Sequence, residues 1–332
     1  MHGGNIYQFA QQLGCKADDI LDFSANINPF QAVNWRELQF NLMPYAEPTY
    51  QDLTQVLKQR YALQQELELF NGASAAIFAL LRYLKPKEVV LYAPLYSEYS
   101  RLAKTLACNI HTINRLTHET VQIPEHSTVI FVNPATPDGT LYDLKNLLNE
   151  WQHKHCHVIV DESFLDFTNT PSVLTQSDYS RLYLIKSLSK FYGCAGVRVG
   201  FVAGRAEFIA QLRVFEPAWK LSTFDMTYIE HAISNTDFIA QTQTQTLKNR
   251  LVLKQVLQQS ERFEQIYDSA ANFLMARLPE GVSGHTLQTE LANTKILIRV
   301  CDNFLGLDER FVRFAVKDEA AIISLKNALS LQ

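Results

Sequence analysis

The sequence predicts an α/β fold, with a mostly parallel sheet in a large domain and a smaller α+β domain that combines both chain termini. From about Leu67 to Gly204, short β-rich runs alternate with helical stretches, which is the pattern of a parallel sheet covered by helices. Those runs are almost continuously apolar, which indicates strands buried on both faces. After about Thr236 the pattern changes to polar helical stretches and two further strands.

The large domain is predicted at residues 37–235, and the smaller domain, at 1–36 and 236–332, is expected to close a substrate pocket on it. The strands expected in the large domain are LELF (67–70), EVVLYA (88–93), TVIFVN (128–133), VIVDE (158–162), RLYLIKS (181–187) and VGFVAG (199–204). Its expected helices are 74–84, 97–107 and 141–151. In the smaller domain we expect helices at 241–259 and at SAANFLMARL (269–278), and strands at KILIRV (295–300) and RFVRFAV (310–316).

Composition indicates a globular protein whose partners are small molecules or a second copy of itself. Of the 332 residues 47% are apolar, which suits a sizeable core in two domains. The net charge of −4 and the pI of about 6.1 argue against nucleic-acid binding, and no basic cluster marks a membrane surface. No apolar run approaches the roughly 20 residues that span a bilayer, and the first residues lack a leader pattern, so we expect a cytoplasmic protein. The five scattered cysteines contain no CxxC and suit reduced thiols.

The segment Ser187-Leu188-Ser189-Lys190, followed eight residues later by Arg198, carries the strongest chemical signal. Enzymes that use pyridoxal 5′-phosphate (PLP) need a lysine that binds the cofactor covalently, and they need hydroxyls and a cation for the cofactor's phosphate. Lys190 meets the first need, and the two serines and the arginine meet the second. Taken alone, the motif fits a surface loop with an ordinary lysine equally well. The other segments of the sequence must therefore distinguish a cofactor site from such a loop.

Three further segments fit the same cofactor. Asp161 ends a buried strand, where an unpaired carboxylate is costly, and the ring nitrogen of PLP would supply a cationic partner. A helix N-cap or a metal ligand is the alternative for this aspartate. The turn Gly72-Ala73-Ser74 lies between a strand and a helix, a position that favours phosphate, although ordinary turns use the same residues. Tyr96 follows the next strand and could stack on the cofactor ring or simply belong to the core.

With these residues in place, the chain resembles the threonine-phosphate decarboxylase family of cobalamin biosynthesis, which is closely related to the histidinol-phosphate aminotransferases. The superfamily features are NGAS, PLYSEY, VDESF, SLSK, Arg198 and YAEP, and the finer features are HGGNI at 2–6, LDFSANINP at 21–29 and ILIRVCDNFLGLDERFVRFAV at 296–316. The resemblance implies the PLP-dependent fold type I. It also implies decarboxylation of L-threonine O-3-phosphate to (R)-1-amino-2-propanol O-2-phosphate, with Lys190, Asp161 and Tyr96 as catalytic residues.

The resemblance further implies a substrate pocket and a homodimer. Its substrate residues correspond here to His2, Gly3, Asn26, Arg299 and Arg313. Arginine forks suit a doubly anionic amino acid, although two arginines on strands could also face outward in an alternating pattern. Which arginine holds the carboxylate and which the phosphate stays open. The family tyrosine matched by Tyr45 reaches the PLP phosphate of the partner subunit, which implies a homodimer.

Two positions depart from the family pattern. Thr136 stands where the family has an asparagine that donates to the phenolic oxygen of PLP, and a hydroxyl has a shorter reach. Phe164 replaces the tyrosine that aminotransferase relatives place near the same oxygen. Phenylalanine at this position looks normal for the decarboxylase branch. One alternative function is an aminotransferase acting on histidinol phosphate or a related amino acid, and another, suggested by Thr136 alone, is a PLP-binding protein that has lost catalysis. Phosphothreonine and phosphoserine differ by one methyl group, and the sequence does not separate them.

The tract HKHCH at 153–157 contains four potential metal ligands within five residues. Alternate histidines entering a strand would project together but would lack a further ligand from elsewhere. We therefore expect a helix-to-strand turn and no metal site.

Overall fold

The computed structural model describes residues 3–117 and 121–330, so the predicted substrate residue His2 lies outside the described residues. The strands are β1 (Leu21–Asp22), β2 (Glu66–Asn71), β3 (Glu88–Ala93), β4 (Asn109–Asn114), β5 (Thr128–Val132), β6 (His157–Asp161), β7 (Leu182–Ser187), β8 (Val199–Gly204), β9 (Gln265–Ile266), β10 (Phe273–Arg277), β11 (Ile296–Leu297), β12 (Arg299–Val300) and β13 (Phe311–Ala315). The α-helices are α1 (Ile6–Leu13), α2 (Gln51–Arg60), α3 (Gly72–Leu84), α4 (Ser97–Thr105), α5 (Lys145–His153), α6 (Ala206–Val214), α7 (Thr223–Ser234), α8 (Thr236–Gln259), α9 (Gly284–Ala292) and α10 (Glu319–Ser330).

Seven strands form the large sheet, in the order β2-β8-β7-β6-β5-β3-β4. β8 runs in the opposite direction to the other six strands, which share one direction, so the prediction of a mostly parallel sheet is confirmed. All residues of β5, β7 and β8 are buried, which explains their continuous apolar runs. The sequence reading missed β4, a half-buried edge strand with the polar sequence NIHTIN.

Helices cover both faces of the large sheet, as predicted. One hydrophobic core lies between the sheet and α3, α4 and α6, and it includes Leu80, Leu102 and Leu212. The other lies between the opposite face and α2, α5 and α7, and it includes Leu57 and Trp151. The carboxyl ends of the parallel strands therefore open at one edge of a rigid layer, where an open α/β sheet binds ligands.

A second, four-stranded antiparallel sheet has the order β12-β13-β10-β9 and packs with α8, α9 and α10 around a separate core. The N-terminal segment joins this region because β1 pairs with β11 in parallel. The predicted strand KILIRV is split into β11 and β12, since the backbone N–H of Ile298 donates to the side chain of Gln288 at 2.7 Å instead of to a strand. The predicted domain boundaries themselves stay a prediction.

The helix predicted at SAANFLMARL is wrong, because this segment contains β10. The strand pairs with β13 in the register Phe273↔Ala315 to Arg277↔Phe311. Its first four residues are at most 1% exposed, so both faces of the strand are buried. A doubly buried strand loses the alternation that identifies strands, and its Ala, Leu and Met residues then favour a helical interpretation.

In the described ranges no helix is long and apolar enough to cross a membrane. The same part of the chain contains no group of three or more His, Cys, Asp or Glu side chains suited to a metal ion. In the HKHCH tract, His155 stacks on His126 with ring centroids 5.4 Å apart, and the Nδ1 atom of His157 lies 2.9 Å from the hydroxyl of Tyr183. These contacts are those of a packed helix-to-strand turn.

Candidate active site

A cavity of about 260 Å³ lies where the carboxyl ends of β5, β6 and β7 meet the small sheet. Most of the predicted site residues line it. They are Gly3, Asn26, Ala73, Ser74, Tyr96, Thr136, Asp161, Ser187, Ser189, Lys190, Arg198, Arg299 and Arg313. Phe164 and Phe304 also contribute to its wall. The structure therefore brings together, in one cavity, segments from both ends and the middle of the chain.

Lys190 lies three residues after β7 and is half-buried at the cavity. Burial lowers the pKa of its amine, Asp161 opposes that change, and the positive charges of Arg198 and Arg313 add to it. The amine lies 5.3 Å from the ring centroid of Phe164, and no described carboxylate forms a salt bridge with it. This environment favours the neutral, nucleophilic form of a lysine.

Arg198 and the start of α3 form a corner of the cavity whose charge and donors suit an anion. Gly72 has a φ of +75°, and a Cβ atom at this position would lie 2.4 Å from the Nη2 atom of Arg198. Glycine therefore permits the guanidinium to lie against the helix N-terminus, where the helix dipole also favours negative charge. The Nη1 atom of Arg198 donates to the hydroxyl of Ser189 at 3.3 Å, and its backbone N–H donates to Asp225 at 3.1 Å.

Asp161 ends β6 and is 5% exposed. Its Oδ1 atom accepts from the backbone N–H of Ser163 and its Oδ2 atom from the hydroxyl of Tyr99, both at 2.9 Å. The ring of Tyr96 lies perpendicular to that of Tyr99, with centroids 6.4 Å apart, and its hydroxyl lies 3.5 Å from that of Ser74. Burial raises the pKa of Tyr96, so its phenol stays protonated at neutral pH.

Arg299 and Arg313 are directly opposite each other on the antiparallel strands β12 and β13. Opposite residues project from the same face, so the two guanidinium groups share one side of the small sheet. They are 8% and 7% exposed, and no described carboxylate forms a salt bridge with either. Burial lowers the pKa of Arg299 and lowers that of Arg313 to about 10. The alternative that they face outward is therefore wrong.

Neutral groups hold the two arginines in place. Arg313 donates to the hydroxyl of Thr136 at 3.1 Å and to the carbonyl of Ser24 at 3.0 Å, while its Nε atom has no protein partner among the described residues. Arg299 donates to the carbonyl of Val300 at 2.7 Å and also to Asn303. These contacts orient both cations without neutralising them.

The N-terminal segment completes the wall beside the arginines. The side-chain oxygen of Asn26 is buried without a protein partner in the described ranges, as expected for a group that meets a ligand. A Cβ atom at Gly3 would lie 2.4 Å from the carbonyl of Ser24 and 3.4 Å from the side chain of Arg299. Only glycine lets this segment approach so closely.

The loop that carries Thr136 is anchored on both sides. Asp138 is fully buried and forms a salt bridge with the guanidinium of Arg115 at 3.3 Å. The carbonyl of Gly139 accepts from the backbone N–H of Ala270, which precedes β10. Thr136 thus lies at a fixed point between the large sheet and Arg313.

Tyr45 does not line the cavity of its own chain. Its side chain is 81% exposed and stacks on Trp219, with ring centroids 4.8 Å apart. The nearby side chains of Leu42 and Met43 are also largely exposed, at 70% and 93%. An apolar, exposed surface of this kind suits contact with another chain.

Sequence reasoning missed several contributors, among them Tyr99, Ser24, Asn303 and Phe304. Tyr99 belongs to the quoted PLYSEY segment, and its spacing of three from Tyr96 on a helix predicts neighbouring positions. Asn303 and Phe304 follow Arg299 within the quoted 296–316 segment. Ser24 acts through its backbone carbonyl, which no side-chain pattern reveals.

The sequence model of the family described as aminotransferase class I and II matches residues 20–328. Among curated proteins, threonine-phosphate decarboxylase from Salmonella typhimurium is 27% identical over 99% of this chain and 96% of its own length. Histidinol-phosphate aminotransferase 1 from Oceanobacillus iheyensis is 29% identical over 93% of this chain and 90% of its own length. The adenosylcobalamin biosynthesis bifunctional protein CobDQ from Leptospira interrogans is 27% identical over 95% of this chain, which spans only 39% of that longer protein.

Among solved structures, histidinol-phosphate aminotransferase from Sinorhizobium meliloti in complex with pyridoxal-5′-phosphate has a TM-score of 0.83. It is 16% identical, and the match covers 99% of this chain and 94% of that chain. The match shows a shared fold over nearly the full length.

Proposed function

This chain belongs to the class I and II aminotransferase family, whose cofactor is pyridoxal 5′-phosphate, and from that premise we propose that it is a threonine-phosphate decarboxylase. Its reaction would convert L-threonine O-3-phosphate into (R)-1-amino-2-propanol O-2-phosphate and carbon dioxide. The observation that carries the proposal is the pair Arg299 and Arg313, two buried cations on opposite residues of neighbouring strands, neither of which forms a salt bridge with a described carboxylate. Such a pair suits a substrate with two anionic groups.

The cavity residues fit the cofactor. Arg198, the serine hydroxyls beside it and the start of α3 offer a cation, donors and a helix dipole to its phosphate. The buried carboxylate of Asp161 suits a protonated ring nitrogen, and the amine of Lys190 suits the covalent linkage. When bound, the cofactor accepts the electrons of a bond broken at the substrate's Cα atom.

The protein then determines which bond breaks. The positive charge of Arg313 acts on Lys190, and its guanidinium contacts Thr136, so we assign the substrate carboxylate to Arg313. Arg299 contacts Asn303 and lies against Gly3, so we assign the phosphate to Arg299. By binding both anions, the two arginines would fix the orientation of the bond between Cα and the carboxylate, so that binding energy is used for positioning.

An aminotransferase is the second candidate, and the relative from Oceanobacillus iheyensis favours it. In that reaction the neutral amine of Lys190 would remove the Cα proton instead. The lowered pKa of Lys190 serves that role as well as the first, so the amine does not distinguish the two reactions.

The two functions are separated by their products. Purified, PLP-loaded protein is incubated with O-phosphothreonine, and separately with histidinol phosphate and 2-oxoglutarate, with Lys190→Ala as the blank. We expect carbon dioxide and an amino-alcohol phosphate from the first mixture and no glutamate from the second. Glutamate formation at a comparable or higher rate would assign the chain to the aminotransferases.

We also propose a homodimer in which Tyr45 completes the cofactor site of the partner subunit, because its side chain is exposed and does not line the cavity of its own chain. Light scattering should give about twice the chain mass of 37.9 kDa. A mixture of Tyr45→Ala and Lys190→Ala subunits should be more active than either variant, because mixed dimers would contain one intact site. No gain on mixing, under conditions that exchange subunits, would place Tyr45 outside the site.

A further inference from the structure

We propose that Tyr99 positions Asp161 for its contact with the cofactor's ring nitrogen, an inference that rests on the role proposed above for Asp161. Tyr99 lies in the first turn of α4 and has no exposed surface. Its hydroxyl is the donor to the Oδ2 atom of Asp161, and the backbone N–H of Ser163 is the donor to Oδ1, both at 2.9 Å. One neutral donor on each oxygen fixes the plane of the carboxylate.

The two groups that donate hydrogen bonds to Asp161 are neutral, so they leave the negative charge of the carboxylate in place. In the described part of the chain, no lysine, arginine or histidine forms a salt bridge with Asp161. A cation there would neutralise the carboxylate and repel a protonated ring nitrogen. A phenol supports the carboxylate by hydrogen bonding and leaves its charge available to the cofactor.

The phenol of Tyr99 is also a permanent donor. Burial raises the pKa of Tyr99 well above its ordinary value, and the negative charge of Asp161 raises it further. A hydrogen bond to an ionised carboxylate stabilises the charged form, so the proton shared with the ring stays on the nitrogen. Without Tyr99, the carboxylate would become a better proton acceptor, and only the donor from Ser163 would still restrict its orientation.

Tyr92 offers a matched control. It is 6% exposed, lies on β3, and its hydroxyl accepts from the indole N–H of Trp151 at 3.1 Å in the core on the other face of the sheet. Tyr92→Phe and Tyr99→Phe each remove one buried hydroxyl and one hydrogen bond. A general effect on packing should therefore be common to both variants.

The test uses full-length protein loaded with PLP that carries ¹⁵N at the ring nitrogen. In the native protein and in Tyr92→Phe, the ¹⁵N resonance should have the shift of a protonated pyridine. In Tyr99→Phe it should move toward that of the unprotonated ring, and the cofactor should dissociate about tenfold faster. A native resonance and a native dissociation rate in Tyr99→Phe would overturn the proposal.

The ¹⁵N resonance of the native protein tests the role of Asp161 separately from that of Tyr99. An unprotonated ring in the native protein would overturn the role of Asp161 and, with it, that of Tyr99. A protonated ring in the native protein, with both the resonance and the dissociation rate unaffected by Tyr99→Phe, would overturn the role of Tyr99 alone. If Tyr99→Phe does not fold, 3-fluorotyrosine at position 99 keeps the shape and strengthens the donor. Cofactor release should then be slower than in the native protein, and an unchanged rate would overturn the proposal.

Discussion

The two ends of the cavity are built on different principles. At the cofactor end, Asp161 and Lys190 follow the ends of parallel strands, and the carboxylate has a donor on each oxygen. At the substrate end, Arg299 and Arg313 face each other across an antiparallel pair, and no described carboxylate forms a salt bridge with either. The first end suits a group that stays bound, and the second holds two cations without a salt-bridge partner, which suits an anion that binds and leaves.

The largest expected effect is at the cofactor end. Lys190→Ala removes the cavity's only described lysine amine, so the visible absorbance band of the bound cofactor should disappear and turnover should be lost. Absorbance spectra and borohydride reduction followed by peptide mapping measure this directly. A label on a peptide other than the one that contains Lys190 would contradict the assignment.

At the substrate end, Arg313→Ala should lower kcat/KM for O-phosphothreonine about 100-fold, or about 3 kcal/mol, because a desolvated anion loses a forked donor. Arg299→Ala should be similarly damaging. The visible spectrum should persist in both variants, which separates the two ends. The exposed Arg205 provides the control, and Arg205→Ala should leave kcat/KM unchanged.

Glu162 follows Asp161 in the sequence, and we expect its side chain to make the stability of the protein depend on pH. It is 2% exposed, and burial raises its pKa from 4.5 to about 7, against the opposing charge of Lys186. The folded protein therefore binds a proton that the unfolded chain releases between these pH values. The free energy of unfolding should fall by up to about 3 kcal/mol as pH rises through this window, from this group alone.

Denaturant titrations of native protein and Glu162→Gln from pH 4.5 to 7 would isolate that contribution. The variant should lose most of the decline, since glutamine stays neutral. Parallel curves for the two proteins would show that Glu162 does not carry the effect.

The smallest expected effect concerns the arginine pair itself. Two like charges directly opposite each other on neighbouring strands destabilise a sheet. Arg299→Met should therefore raise the free energy of unfolding of substrate-free protein by about 1 kcal/mol while it weakens substrate binding. Thermal and denaturant unfolding without substrate measures the gain, and a marked loss of stability would show that the pair is structurally compensated.

The difference between the cofactor end and the substrate end also explains which parts of the site could be predicted from the sequence. Parallel strands leave continuous apolar runs, so Asp161 and Lys190 could be placed at strand ends and then in one site. The pairing of Arg299 with Arg313 depends on strand register, and register is set by contacts that short patterns do not contain. The neighbouring strand β10 was predicted as a helix for a related reason, because burial on both faces removed its alternation.

The N-terminal segment contacts both ends of the cavity, and this has a consequence for folding. The backbone N–H of Asn28 donates to the carbonyl of Lys190 at 2.9 Å, and its side chain donates to Phe191, 163 residues away. The carbonyl of Ser24 accepts from Arg313 across 289 residues. Closing loops of this length is slow, so the site should be among the last parts of the molecule to assemble. During refolding, the protein should then bind the cofactor only after these contacts between distant parts of the chain have formed.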